Sequence, residues 1–221
     1  MNLLTLKSGR IAPFLSLAAL LPLLAGCPGI IELKAKEGGA IATKSTVAPI
    51  LFDDFVKGFS GTTAGNPDGN ASCTVSMVVG MPHEGVTKKL VRCDFKSGIG
   101  SYGPGFEWNS LYLPKAGFFD ARGTVGVELW AKAPRGIIFQ VSVGEGKLNG
   151  GDEEDYQSSQ VTGTGAWKRY FIPYTGFTRS LYSGNQSGDN NLAVGSFVRA
   201  GVQVTEKQGD GVLYLDEVHF K

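Results

Sequence analysis

The chain is poor in the residues that most often carry chemistry. It has two histidines in 221 residues, His83 and His219. A Ser-His-Asp relay would have to use one of them, and neither has a recognisable partner in sequence. No Gly-x-Ser-x-Gly elbow is present either. Three cysteines and two histidines supply no zinc-ligand spacing. No phosphate-cradling loop occurs, because the Gly-x-Gly patterns precede strands or turns rather than helices. Charge of one sign is lacking as well, since the formal net charge is +1. A near-neutral chain has no electrostatic footprint for nucleic acid. Amphipathic helical periodicity longer than two turns is absent, which excludes helical and α/β classes.

Only one long apolar run exists, at the N-terminus. Lys7 and Arg10 precede Ile11 to Leu24, a run broken by Pro13, Ser16 and Pro22. It is too short for a stable membrane span and has the layout of a signal peptide. Leu24-Ala25-Gly26-Cys27 closes it and resembles the bacterial lipoprotein box. That resemblance implies removal of residues 1–26, lipidation of Cys27 and a membrane anchor made of acyl chains. Pro28, rather than Asp, follows Cys27, which points to the outer membrane of a bacterial cell envelope. The remaining chain has 19 basic against 20 acidic side chains. Residues 27–49, with Gly38-Gly39 and no sustained period, read as a flexible tether.

Residues 50–221 read as one all-β domain. Cys73, Val75, Met77 and Val79 alternate with Thr74 and Ser76, and Val91, Cys93 and Phe95 alternate with Arg92, Asp94 and Lys96. As an antiparallel hairpin with its midpoint at residue 83, these strands place Cys73 opposite Cys93, and outside the cytoplasm a disulfide forms there. Further strands are expected at 125–131, 137–143, 167–173, 197–204 and 211–220. In all, about eight to ten short strands with glycine-rich turns indicate a β-sandwich of the jelly-roll type.

The acids of the Asp152–Asp155 loop suit a solvated face or a cation loop better than the paired, pKa-split carboxylates of a glycosidase. Asp53-Asp54 closes the first strand, and Asp216-Glu217 sits in the last. If those strands are neighbours in a sandwich, the carboxylates converging there, with backbone carbonyls of the nearby turn, would suit Ca²⁺. Tyr102, Phe106, Trp108, Tyr156 and Tyr182 lie in or beside loops and strand ends, with Asp152 and Arg179 close in sequence. Exposed rings with nearby hydrogen-bonding groups are what a sugar requires. Trp130 and Trp167 are assigned to strands.

From Leu51 onward the chain resembles the family 11 carbohydrate-binding modules and the wider galactose-binding-like jelly rolls. The matching stretches are LFDDFVKG, FEWNSLYLP, VGVELWAKAPRGIIFQV, GGDEEDYQ, WKRYFIPYTGFTR and VLYLDEVHF. The run W-x-x-Y-x-I-P-Y-x-x-F-x-R is also similar to a mitochondrial complex I assembly-factor domain. The resemblance implies a concave groove for β-glucan chains and structural Ca²⁺ near the first and last strands, at Asp54 and Asp216. It carries Arg179 and Tyr182 onto groove positions, Asp152 onto a groove acid, and Phe106 near an aromatic platform. Leu181 stands where the family places an acid. The expected function is non-catalytic binding of a β-glucan-like polysaccharide by a membrane-anchored lipoprotein. The alternatives are an assembly lipoprotein that holds another protein, and a glycoside hydrolase.

Overall fold

A computed structural model describes residues 44–64, 70–98, 103–146 and 154–221. The signal segment 1–26, Cys27, Tyr102 and Asp152 lie outside the described residues, as does the side chain of Tyr182. Thirteen strands run in chain order: β1 Ile50–Asp53, β2 Gly61–Ala64, β3 Ala71–Gly80, β4 Lys88–Ser97, β5 Gly105–Asn109, β6 Gly126–Lys132, β7 Ile138–Glu145, β8 Glu154–Ser158, β9 Val161–Thr162, β10 Lys168–Pro173, β11 Phe177–Gly184, β12 Phe197–Val204 and β13 Gly209–Phe220. One 3₁₀ turn, Tyr174–Gly176, links β10 to β11. Among the described residues no helix is long and apolar enough to cross a membrane.

The strands form two antiparallel sheets. The six-stranded sheet runs β10-β6-β13-β4-β3, with β1 also against β13. The seven-stranded sheet runs β11-β8-β7-β12-β5-β2, with β9 against β7. This is the all-β sandwich that the alternation predicts. Alternation sends one side chain in two inward. Phe95, Leu129, Leu213 and Leu215 come from one sheet, and Phe106, Trp108, Phe139 and Val202 from the other. Phe52, Phe119, Phe197 and Phe220 close one end as a ring cluster, with Phe52 5.0 Å from Phe119 and Phe197 4.7 Å from Phe220.

The first and last strands are neighbours, as expected: Ile50 pairs with Phe220. Past β1 the chain turns sharply at Phe55, whose φ of 59° is left-handed. Asp53 Oδ1 accepts from the Phe55 N–H at 2.8 Å. This local bond offsets the strain and lets the Phe55 ring bury 5.5 Å from Trp108. The last tether residues are bonded to the fold, with Thr46 N donating to Gly123 O at 2.8 Å.

The hairpin β3–β4 corrects the expected register. Val75 lies opposite Cys93, and Cys73 opposite Phe95. Cys73 and Cys93 are therefore diagonal neighbours, 5.8 Å apart at Cα, and they form the disulfide.

Candidate functional site

Three of the expected sugar platforms are core residues. Phe106 and Trp108 sit two apart on β5, so both point inward, and each is only 2 % exposed. Tyr156, on β8, is fully buried, with its hydroxyl donating to Glu154 Oε2 at 2.8 Å. No ring face of the three is open to a ligand. Burial first, then the nearby Glu145 and Glu154 charges, pushes the Tyr156 phenol far above its usual range. The expected loop position of these residues is overturned because β5 and β8 are strands, and strand parity decides orientation.

Arg179 also turns away from the open face. It pairs with Tyr156 in register and shares its inward parity, whereas Thr178 beside it is exposed opposite Gln157. Its Nη1 donates to Gln186 O at 3.1 Å and lies 3.6 Å from Glu154 Oε1. Arg179 therefore braces the 185–191 loop against β8. Glu145, Glu154 and Asp189 gather here with carboxylate oxygens within 4.8 Å of one another.

What the seven-stranded sheet does present outward is polar. In register across β2, β5, β12, β7, β8 and β11 lie Thr62, Glu107, Gly201, Ser142, Gln157 and Thr178. Beside this row Arg199 Nε donates to Asp155 Oδ1 at 3.0 Å and lies 3.9 Å from Glu107 Oε2. Gln157 Nε2 donates to Gln203 Oε1 at 2.8 Å, and Gln203 Nε2 to Gly103 O at 3.0 Å. Two glycines make room. A Cβ on Gly144 would meet Arg199 Cγ at 2.5 Å, and one on Gly201 would meet Ser142 Oγ at 2.3 Å. Composition alone missed these residues. The signal was the outward parity of Arg199, Gly201 and Gln203 on β12.

Asp54 and Asp216 each already have a protein partner. Asp54 Oδ1 accepts from Tyr112 OH at 2.6 Å. That bond, the first cause, pushes the Tyr112 phenol up to about 12. Asp216 is fully buried on the opposite side of a β-bulge at Glu217, whose φ is 25°. Its Oδ2 lies 3.1 Å from Lys88 Nζ and 3.2 Å from His83 Nδ1. Lys88 also reaches Glu217 at 2.8 Å and Glu84 at 3.2 Å. An ammonium stands among the carboxylates that a divalent ion would need. Burial raises the Asp216 carboxyl, and the Lys88 bonds oppose it. His83, expected to lack a partner, stacks on Trp130 at 3.7 Å and 8°.

No family model and no curated protein matches the chain. Solved structures do match in fold. The family 11 carbohydrate-binding module of the cellulosomal cellulase Lic26A-Cel5E of Clostridium thermocellum aligns with a TM-score of 0.59 at 15% identity, over 80% of this chain and 95% of that one. The Clostridium thermocellum family 11 module in complex with a β-1,3-1,4-mixed-linked tetrasaccharide aligns equally, over 96% of its length. A family 30 module of the Clostridium thermocellum cellulase Cel9D-Cel44B reaches 0.52 at 13% identity, over 79% of this chain and 98% of that one. The sandwich is thus the jelly roll of these modules.

Proposed function

We propose that this protein binds a polysaccharide without cleaving it, through the outward face of the seven-stranded sheet, while Cys27 anchors it to the cell envelope. The observation that carries the reading is the hydrogen-bonding floor of Gln157, Gln203, Asp155, Arg199, Ser142 and Glu107. Sugar hydroxyls need donors and acceptors already held in place, and here Gln157 holds Gln203 and Asp155 holds Arg199. Gly144 and Gly201 keep that floor low enough for a chain to lie on it. A β-glucan is the ligand of choice, because a module of the same fold is described with a mixed-linkage tetrasaccharide.

The structural Ca²⁺ implied by the resemblance does not suit the partners these residues have, Tyr112 at Asp54 and the Lys88 ammonium at Asp216. No step of binding depends on it. The full-length protein should be retarded in native gels that contain mixed-linkage β-glucan. Gln157→Ala, Gln203→Ala and Tyr182→Ala should each reduce the retardation and leave the melting temperature within a few degrees. A wild type unretarded by any neutral β-glucan would sink the reading. The anchor has its own check: Cys27→Ser should move the protein out of the membrane fraction.

One observation favours the assembly alternative. Val79, Met81 and Val86 are 72%, 65% and 61% exposed on and beside the tip of the β3–β4 hairpin. A partner protein that covers them would give protection of this tip in hydrogen exchange.

A further inference from the structure

The opposite face of the sandwich carries the exposed aromatic chemistry that the polar floor lacks. On the six-stranded sheet, Tyr214 of β13 lies opposite Lys132 of β6 on one side and Arg92 of β4 on the other. Trp167, just before β10, brings its ring to 6.4 Å from the Tyr214 ring, tilted by 51°. The Arg92 guanidinium lies 6.0 Å from the Tyr214 ring centre. Asp94 holds it there through two bonds, of 2.9 and 2.6 Å. Trp167 and Tyr214 are half-buried, so each ring is anchored yet reaches solvent. Trp130 is excluded, because His83 covers it.

Charge distinguishes this row from the other face. Arg92 is matched by Asp94, and Arg169 by Glu128 at 3.6 Å. Lys132 is exposed and has no carboxylate partner among the described residues, whereas Lys168 shares the inward parity of Tyr170, whose ring centre lies 5.1 Å from its ammonium.

We propose that the row Trp167, Lys132, Tyr214 and Arg92 is a second ligand surface, for an acidic polysaccharide. The apolar C–H faces of pyranose rings stack on Trp167 and Tyr214. Their carboxylates meet Lys132, and the Arg92 fork serves hydroxyls beside Asp94. A neutral glycan would leave the Lys132 ammonium without a counter-charge. Single-stranded nucleic acid also combines stacking with cations. The inference is independent of the polar floor and stands or falls separately.

The test uses the full-length protein in native gels containing polygalacturonate, with mixed-linkage β-glucan and a single-stranded DNA oligomer as separate arms. Polygalacturonate should retard the wild type, and added salt should weaken the effect. Trp167→Ala and Tyr214→Ala should each weaken it by about tenfold. Lys132→Glu should do the same with an unchanged melting temperature, since Lys132 is exposed, and Lys132→Arg should restore binding. Gln157→Ala should leave this arm unaffected. Absence of retardation by polygalacturonate would overturn the proposal. So would retardation that survives Lys132→Glu, that is lost in Gln157→Ala instead, or that DNA equals.

Discussion

The two outward faces of the sandwich arise from the same backbone pattern and diverge in what they bury. On the seven-stranded sheet the outward residues are amides, hydroxyls, glycines and the Arg199–Asp155 pair, with Gln157 bonded to Gln203. On the six-stranded sheet the β3–β4 loop folds back over one end. It takes Asp216, Lys88 and His83 out of water, and leaves Trp167 and Tyr214 at the surface beyond it. One face spends its polar groups on surface presentation; the other hides some of them inside an ion cage. Removing a group from the first should change binding more than stability, and removing one from the cage should do the reverse.

The largest expected effect tests the cage. Lys88→Met removes the cation that faces a fully buried Asp216 and leaves that charge uncompensated. A loss of about 3–5 kcal/mol is expected in urea unfolding. Added Ca²⁺ should not protect the wild type, because the ammonium already fills the position. A wild-type melting temperature that rises with Ca²⁺ and falls with chelator would show that the cage is read wrongly.

Next in size is the disulfide. Cys73 and Cys93 are 20 positions apart. Replacing both by Ser should cost about 3 kcal/mol through the freed loop entropy of the unfolded chain. Reducing agent should lower the melting temperature of the wild type and leave the double variant unchanged.

Gly201→Ala probes the open face. The new Cβ meets Ser142 Oγ, Glu107 Cγ and the Phe106 carbonyl. The flexible Glu107 can yield and the backbone carbonyl cannot, so about 1–3 kcal/mol should be lost. Glycan affinity should fall further than Gln157→Ala makes it fall, because the floor is raised as well as displaced. On the other face Arg92→Ala breaks an ion pair whose side chains are 37% and 44% exposed. Stability should change little, because water screens an exposed pair.

The sequence made the scaffold readable and the orientation of its rings unreadable. Strict alternation in 71–80 and 88–97 shows directly as β3 and β4, and the adjacency of first and last strands follows from the sandwich. Parity is lost where glycines cluster. Gly-x-Gly around residues 98–105 hides the start of β5, and without that start Phe106 and Trp108 read as loop aromatics rather than an inward pair. Gly176 and the serines after it hide β11, so Arg179 reads as a groove residue when it packs inward. The register error of two in the hairpin has another source: the pairing is centred on residue 84, and a disulfide can join diagonal as well as directly opposite cysteines. The cage itself needs a loop and a bulge from distant segments, and no spacing rule joins residue 88 to residue 216. Trp167, read as scaffold, is at the end of its strand and half-open for the same reason that Trp108 is closed.

The smallest expected effect separates buried groups by the sign of their pH dependence. His219, on β13, faces Glu128 of β6 in register, and Leu51 of β1 lies on its other side. Burial, the largest cause, lowers its pKa below the ordinary 6.5, against the pull of Glu217 and Glu128. The folded state therefore resists protonation more than the unfolded chain does. The stability tied to neutral His219 is present above pH 6.5 and is lost as pH falls through the lowered folded value. Asp53 and Asp216 act in the opposite sense. Burial raises both carboxyls, so their ionisation costs stability that returns as pH falls through their folded values. Wild-type melting alone mixes the two signs. The difference between wild type and His219→Gln isolates one: it should be largest near neutral pH and shrink towards pH 5. A difference that grows on acidification would mean that His219 is stabilised in its charged form by Glu128, with burial the weaker influence.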